Sequence, residues 1–269
     1  MNQKNVTIDD LYGVLHIAIT EGAWITLKYL LDLGLNVDGL DEDGHIVELP
    51  DGRPLFTESE YGSPPLFTAV EYGDPDVVKL FLETGANPNM KSAGGVSPLV
   101  AACEYRGETI AQLLLDYGAD IDARNGHDEQ APIHMAVFME QPGVVKLLCE
   151  HGALLETQWP EPDHDPHEPK TPLMLAVTDF VHGSEDKGRE ILETLLDHGA
   201  NVNATNELGK TPLMYAAADN SAEAVELLLA RGANPFLKDS SGETALDKTQ
   251  DTRVRVLLHF CHLYSPGGV

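Results

Sequence analysis

The densest group of side chains able to do chemistry comprises His164, Asp165, His167 and Glu168. Imidazole and carboxylate groups are common protein ligands of divalent metals. A metal site needs three or four ligands on a fixed frame, but this stretch is interrupted by Pro166 and is acidic throughout. We therefore predict no designed metal site here, and a metal-dependent enzyme built on His164 and His167 is the third and least favoured functional hypothesis.

No other catalytic constellation stands out. The sequence contains no Gly-x-Ser-x-Gly elbow, no phosphate-binding glycine loop and no His-Glu-x-x-His zinc motif. Cys103, Cys149 and Cys261 are odd in number and far apart, which indicates reduced thiols rather than disulfides or metal ligands. We predict that the protein is not an enzyme, with no catalytic residue, no metal and no cofactor.

The charge balance is strongly acidic, with 44 Asp and Glu against 17 Lys and Arg and a formal net charge of −27. Because phosphate recognition depends mainly on Lys and Arg, this balance disfavours nucleic acid and anionic membrane as partners. It favours a basic protein that associates quickly and in a salt-dependent way. The alternative is that the charge only keeps the protein in solution.

The N-terminal sequence lacks the basic-then-apolar pattern of a secretion signal. No run approaches the roughly 18 consecutive apolar residues of a membrane-spanning helix. We expect a cytoplasmic protein.

The elements that must position any functional side chain follow from one stretch, residues 211–234. Thr211 can cap a helix and Pro212 fits its first turn, where the missing N–H has no consequence. A polar break at residues 219–221 separates this helix from a second one. Gly232 ends the second helix, because a residue in the left-handed region is most favourable as glycine. One such helix–turn–helix repeat is too small to bury its own apolar face.

The same pattern recurs along the chain. The closing glycine follows the opening residue by 21 positions in five copies, as from Thr211 to Gly232. In the copy that opens at Thr171 and closes at Gly199 the separation is 28. Internal repeats of this kind determine the fold and take precedence over local patterns.

The openings Thr211-Pro212-Leu213 and Pro132-Ile133-His134, with their Gly-Ala-Asn or Gly-Ala-Asp closings, resemble the ankyrin repeat over residues 8–262. The resemblance implies an all-α ankyrin-repeat solenoid of about six helix–turn–helix repeats plus a degenerate C-terminal capping repeat, with hairpin finger loops. It implies a single domain over 1–269 that serves as a binding scaffold. The repeats are expected at about 8–39, 61–91, 92–124, 125–157, 167–205, 206–238 and 239–262.

Three insertions, at about 40–60, 154–169 and 179–188, interrupt the regular spacing. The first has the pattern of a small β-hairpin, a decoration of the binding face, although a harmless loop is the alternative. The second is rich in proline and carries Trp159, which we expect to be an exposed binding anchor. The third either lengthens an inner helix or forms a polar loop.

Both ends of the array are expected to be capping repeats. Trp24, Ile25 and Tyr29 are placed to cover the N-terminal end of the core. Arg253 and Arg255 give the last repeat a polar face.

The resemblance also implies a binding surface. In ankyrin-like arrays the ends of the inner helices line the concave face, and a histidine at the position of His134 bridges backbone groups of adjacent repeats. Carried over to this sequence, and with the second insertion added, the candidate partner-binding residues are Glu71, Tyr72, Glu104, Tyr105, Phe138, Met139, Asp179, Asp219 and Trp159. Aromatic rings supply apolar area and carboxylates accept charge-assisted hydrogen bonds, so this mixture favours a partner with Lys or Arg beside apolar groups. The alternative is a solvated face with chance aromatics.

We expect a protein–protein interaction module that is monomeric when unbound and that binds a basic partner. A short, very acidic ankyrin-repeat chain resembles the immunity proteins that bacteria pair with toxins, so the first hypothesis is inhibition of a toxin or enzyme. The second is an adaptor or secreted effector that brings partner proteins together.

Overall fold

The fold is taken from a computed structural model of the chain. The structure describes residues 14–15, 17–32, 37–38, 63–92, 94–104, 107–126, 129–160, 169–182 and 185–264. The chain divides into two compact units, a first unit of residues 1–127 and a second unit of residues 128–269.

The first unit is built from short helices joined in helix–turn–helix pairs. Its helices are α1 (Trp24–Asp32), α2 (Pro65–Tyr72), α3 (Pro75–Glu83), α4 (Pro98–Glu104) and α5 (Glu108–Asp116). The inner helices α2 and α4 pack on each other, and so do the outer helices α3 and α5. The two helices of a pair also pack on each other, so each pair buries its apolar surface both internally and against the next pair.

The second unit repeats this arrangement. Its helices are α6 (Pro132–Phe138), α7 (Pro142–Glu150), α8 (Pro172–His182), α9 (Glu185–Asp197), α10 (Pro212–Ala218), α11 (Ala222–Ala230) and α12 (Thr252–Tyr264), with a 3₁₀ turn at Ala245–Lys248. The inner helices α6, α8 and α10 pack in sequence, as do α7 and α9. The predicted all-α helix–turn–helix fold is confirmed.

The helix ends form where the sequence predicts them. The Thr211 hydroxyl accepts a hydrogen bond from the backbone N–H of Met214 at 3.3 Å, and the Ser221 hydroxyl accepts one from Ala224 at 3.3 Å. Gly232 follows α11 with a φ of 90°, in the left-handed region. These caps satisfy backbone groups that a short helix would otherwise leave without partners.

Side-chain hydrogen bonds connect the loops of successive repeats. Asn89 accepts a hydrogen bond from the backbone N–H of Asp120, and Asn203 accepts one from Asn234, each at 2.7 Å. The two bonds span 31 positions each, so the same contact recurs in both units. Within the described ranges, the β-structure is limited to one isolated antiparallel bridge between Trp159 and Lys170.

The insertions have different outcomes. The hairpin predicted within residues 40–60 lies outside the described residues, as does the His164–Glu168 segment. The third insertion lengthens both helices of its repeat, since α8 has 11 residues where α10 has 7, and α9 has 13 where α11 has 9.

Two of the three residues expected to cover the N-terminal end of the core do not do so, and the side chain of the third, Trp24, lies outside the described part of the structure. Ile25 is 82% exposed and Tyr29 is 64% exposed, so the prediction that they close the N-terminal end of the core is wrong. The buried face of α1 is formed by Leu27 and Leu30. Ile25 and Tyr29 each lie two residues from Leu27, which is about 200° around the helix and therefore on its opposite side.

The last repeat carries a polar contact face and a small buried face. Val254 and Leu258 of α12 are buried. Arg253 donates hydrogen bonds to Glu223 at 2.7 Å and to Glu226 at 3.0 Å, both on α11. The single 3₁₀ turn replaces the inner helix of the regular repeats, because this repeat lacks their proline and alanine pair.

Candidate functional site

In the first unit, acidic and aromatic side chains gather at the C-terminal ends of the inner helices. Glu71 and Tyr72 are the last residues of α2, and Glu104 is the last residue of α4. Gly73 then takes a φ of 77° and turns the chain towards the outer helix, which leaves these side chains at the edge of the packed core. Tyr72 is 47% exposed, so its ring offers an apolar surface to solvent.

Both carboxylates are in an unfavourable electrostatic environment. Partial burial raises the pKa of Glu71, and the charge of Glu104 raises it further. Burial also raises the pKa of Glu104. In the described part of the first unit neither group forms an ion pair, and both stand at helix C-termini, where the helix dipole disfavours negative charge. A cation placed between them would favour the charged form of both carboxylates and would offset the repulsion and the helix dipoles.

Three other predicted partner-binding residues are not part of the group formed by Glu71, Tyr72 and Glu104. Tyr105 lies outside the described residues. Asp179 is a residue of helix α8, in the second unit. Asp219 is the C-cap residue of α10, with its backbone N–H bonded to the carbonyl of Tyr215 at 3.0 Å.

In the second unit, Phe138 ends α6 and Met139 caps it. Phe138 is 44% exposed. Its ring stands edge-on to that of Trp159, with 5.9 Å between the ring centroids. This geometry is a favourable one for aromatic pairs and holds the exposed ring in a defined position.

Trp159 is buried, with 3% of its surface exposed, so the expectation of an exposed anchor is wrong. Its backbone N–H and carbonyl each pair with Lys170 at 3.0 Å, which fixes the residue at the base of the second insertion. From there its ring packs beside Phe138 and His134. Within the described residues, its indole N–H has no hydrogen-bond acceptor.

His134 bridges backbone groups as the family pattern implies. Its Nδ1 accepts a hydrogen bond from the backbone N–H of Ala131 at 3.2 Å. Its Nε2 lies 3.0 Å from the carbonyl oxygen of Thr157, which requires the proton to sit on Nε2. The histidine therefore connects the start of α6 to the loop that leads to the next repeat, and its role is structural.

A second cluster in this unit was not foreseen. The ammonium groups of Lys170 and Lys210 each lie 5.8 Å from the centre of the Tyr215 ring, and the Asn206 amide donates to the Tyr215 hydroxyl at 3.0 Å. The available signal was a lysine before Thr171-Pro172 that recurs before Thr211-Pro212. Cation–π contacts of this kind allow a lysine to be buried. The inner side of this unit is therefore not uniformly acidic.

Comparison with known proteins gives a consistent assignment. Family models for ankyrin repeats match residues 50–125 and 66–158 (three copies), 170–207 (a single repeat) and 195–248 (many copies). The chain belongs to the ankyrin repeat family. Proteins built from these repeats are typically non-enzymatic scaffolds for protein–protein interaction, and this chain fits that description.

Similar ankyrin-repeat proteins are known in sequence and in structure. Ankyrin repeat and SOCS box protein 6 of mouse, of orangutan (Pongo abelii) and of human is 36% identical over 83 residues. That match covers 31% of this chain and only 17% of those relatives' length. The crystal structure of the Bcl-3 ankyrin repeat domain, a member of the IκB family, matches with a TM-score of 0.73 and 29% identity, over 91% of this chain and 97% of that domain. The human ASB11 ankyrin repeat domain matches with a TM-score of 0.66 and 27% identity, over 91% and 96%.

Among the residues that the structure describes, no three His, Cys, Asp or Glu side chains gather in a group that could hold a metal ion. Likewise, none of their helices is both long and apolar enough to span a membrane.

Proposed function

We propose that this ankyrin-repeat protein binds a basic partner protein through Glu71, Tyr72 and Glu104 of the first unit. The activity is binding rather than catalysis, and the setting is the cytoplasm, as expected from the sequence. Tyr105 belongs to the same proposed surface through its position in the sequence. Phe138 and Met139 are the corresponding residues that we propose for the second unit, taken by itself.

The observation that carries this proposal is the pair formed by Glu71 and Glu104. Partial burial raises the energy of the charged form of both carboxylates, the charge of Glu104 raises that of Glu71 further, and both stand at helix ends that disfavour negative charge. A lysine or arginine of a partner would replace this repulsion by charge-assisted hydrogen bonds.

Tyr72 supplies the apolar component of the same surface. A tyrosine loses little conformational freedom on binding and can bury a large area, which makes it a frequent centre of protein interfaces. Its position beside Glu71 would allow the partner's apolar side chain and its cation to bind together. This arrangement predicts a partner whose basic residues stand next to apolar ones.

The biological consequence that we favour is inhibition, in which the partner is a toxin or enzyme whose basic surface is covered. The alternative is an adaptor that brings two proteins together. It is favoured by the name of the similar relatives, which joins ankyrin repeats to a SOCS box. The two are separated by what is captured, since an inhibitor holds one protein and an adaptor holds several.

The test uses the whole protein as bait in a lysate of its own cell, at low and at high salt, with captured proteins identified by mass spectrometry. The variants compared are Tyr72→Ala and a matched control, Tyr117→Ala. Tyr117 is 41% exposed but lies at the end of the outer helix α5, away from the inner helix ends. Circular dichroism checks that both variants remain folded.

The proposal requires a basic protein that is captured at low salt, is weakened by high salt and is lost with Tyr72→Ala but kept with Tyr117→Ala. Loss of inhibition of that protein's own activity in the same variant would support the inhibitor. A captured partner that is acidic, or one that binds both variants equally, would overturn the proposed surface.

A further inference from the structure

The first repeat of the first unit exposes four large apolar side chains. Val14 and Ile17 lie in its inner helical segment and are 43% and 60% exposed. Ile25 and Tyr29 lie on α1 and are also exposed. Because these two are four positions apart, they are neighbours on one side of that helix. We call Val14, Ile17, Ile25 and Tyr29 the end face.

Three of these residues stand at repeat positions that are covered in the next repeats. Val14, Ile17 and Tyr29 follow the opening residue of their repeat by one, four and 16 positions. In the second repeat, the corresponding residues are all buried, and in the third repeat the first two of them are buried: Pro65, Thr68 and Leu80, then Pro98 and Ala101.

The covering of these positions comes from the preceding helix pair. In the first unit, inner helices pack on inner helices and outer helices on outer helices along the array. Within the described residues of this unit, the first repeat is the one without a helix pair before it. The three residues therefore face the same side, the side on which a preceding repeat would stack.

Ile25 adds an apolar residue where later repeats are polar. At its position the second and third repeats have Asp76 and Thr109, both exposed. Since Leu27 and Leu30 form the buried side of α1, this helix is apolar on its solvent side as well. Terminal repeats normally present a polar outer face, which keeps the array soluble. An apolar face at this place is therefore a contact surface.

The size and charge of the end face fit a second copy of the chain. Its four residues expose roughly 500 Å², so two such faces would bury about 1,000 Å², the lower limit for a specific contact. The net charge of −27 makes two copies repel each other in general. The end face itself is uncharged, and the charged residues beside it in the sequence, Glu21, Lys28 and Asp32, include both signs.

We propose that two copies of this chain associate through their end faces, related by a two-fold axis. Tyr29 and Ile25 of one copy pack on the same residues of the other, and Val14 and Ile17 complete the contact. Such a contact closes at two copies. In place of the monomer expected from the sequence, the protein is then in a concentration-dependent equilibrium, and the small area makes the dimer weak.

The test is sedimentation velocity of the full chain from about 1 µM to about 300 µM, a range that includes weak association, at low and at high salt. The variants are Ile17→Ser, Tyr29→Glu and a matched control, Tyr117→Glu. The control makes the same substitution in the same unit, at the exposed C-terminal end of α5. Circular dichroism checks that each variant is folded.

The mass should rise with concentration from 29.2 kDa towards twice that value and no further. High salt should strengthen this association because it screens the repulsion between two acidic chains, whereas it should weaken the capture of a basic partner. Tyr29→Glu should weaken the dimer by about tenfold or more and Ile17→Ser by about fivefold, whereas Tyr117→Glu should weaken it by less than about twofold.

Three results would each overturn the inference. The mass of a single chain at every concentration would mean that another segment of this chain or a different partner covers the end face. Growth beyond two copies would exclude a two-fold contact. Equal weakening by Tyr29→Glu and Tyr117→Glu would show an effect of charge alone. None of these results bears on the proposed function, which is tested by capture with Tyr72→Ala.

Discussion

Replacing Glu140 by glycine should stabilise the second unit, although the substitution removes a side chain. Glu140 holds a φ of 51° between α6 and α7. Left-handed backbone costs about 1–2 kcal/mol for a residue with an ordinary side chain. Glycine removes this strain, but it also gives the unfolded chain more freedom, which offsets roughly 0.4–1 kcal/mol. The expected net gain in the free energy of unfolding is about 0.5–1 kcal/mol.

Equilibrium unfolding in urea measures this gain, with the fluorescence of Trp159 as the probe because its ring packs beside Phe138 at the end of α6. With a slope of about 2 kcal/mol per molar urea, the midpoint should rise by roughly 0.3–0.5 M. Glu140→Asn should give part of the gain, since asparagine tolerates this conformation.

The matched control is Asn220→Gly, at the equivalent position of the α10–α11 repeat, where φ is 57°. Asparagine is only slightly strained there, and its side-chain oxygen accepts a hydrogen bond from the Thr249 hydroxyl at 2.7 Å, so glycine should lower the midpoint. The reasoning is refuted if Glu140→Gly leaves the midpoint unchanged or lowers it, or if Asn220→Gly raises it equally.

Three further predictions concern stability. Glu104→Gln should raise the free energy of unfolding near neutral pH, because the folded protein raises the pKa of this carboxyl. In urea titrations this gain should vanish at pH values below 4.5, the ordinary pKa of the group, where the folded and unfolded states are both protonated. Lys248→Met should lower the free energy of unfolding by about 2–3 kcal/mol, because the buried Asp239 loses its charged partner, whose ammonium nitrogen lies 2.6 Å from the carboxylate. The pKa of Asp239 is lowered in the folded protein, so this loss of stability should shrink as the pH falls through that pKa. Gly209→Ala should lower the free energy of unfolding by about 1–3 kcal/mol and therefore lower the melting temperature, because the backbone φ is 71° and the added Cβ would stand 3.2 Å from the Asp239 Cα. An unchanged melting temperature would contradict this prediction.

The sequence predicts the helices well because their signals are local. The Thr-Pro openings, the alanine pairs and the closing glycines each act within one helical turn, as the hydrogen bond from the Met214 N–H to Thr211 shows. Repetition then multiplies these signals, so that a weak copy is identified from the strong ones. The lengthening of α8 follows from the same spacing, whereas the lengthening of α9 depends on packing that spacing does not reveal.

The candidate site is only partly predictable, because it depends on contacts between distant residues. Trp159 stands in a proline-rich stretch, and its burial follows from pairing with Lys170, eleven positions away. The gathering of Lys170 and Lys210 on Tyr215 joins two repeats. The strain at Glu140 is a property of the backbone, although the glycine or asparagine at equivalent positions was a sequence signal that could have indicated it.

The central claim is that the inner helix ends of the first unit bind a basic partner through specific contacts and not through net charge alone. The most direct measurement is the dissociation constant of the captured partner for two double variants of equal net charge. One is Glu71→Gln with Glu104→Gln, at the inner helix ends. The other is Glu83→Gln with Asp116→Asn, at exposed positions of the outer helices α3 and α5.

We predict that the inner pair weakens binding by about tenfold or more, because it removes two charge-assisted hydrogen bonds, and that the outer pair weakens it by less than about twofold. Equal weakening by both pairs would contradict the account, because it would show that only the overall negative charge attracts the partner.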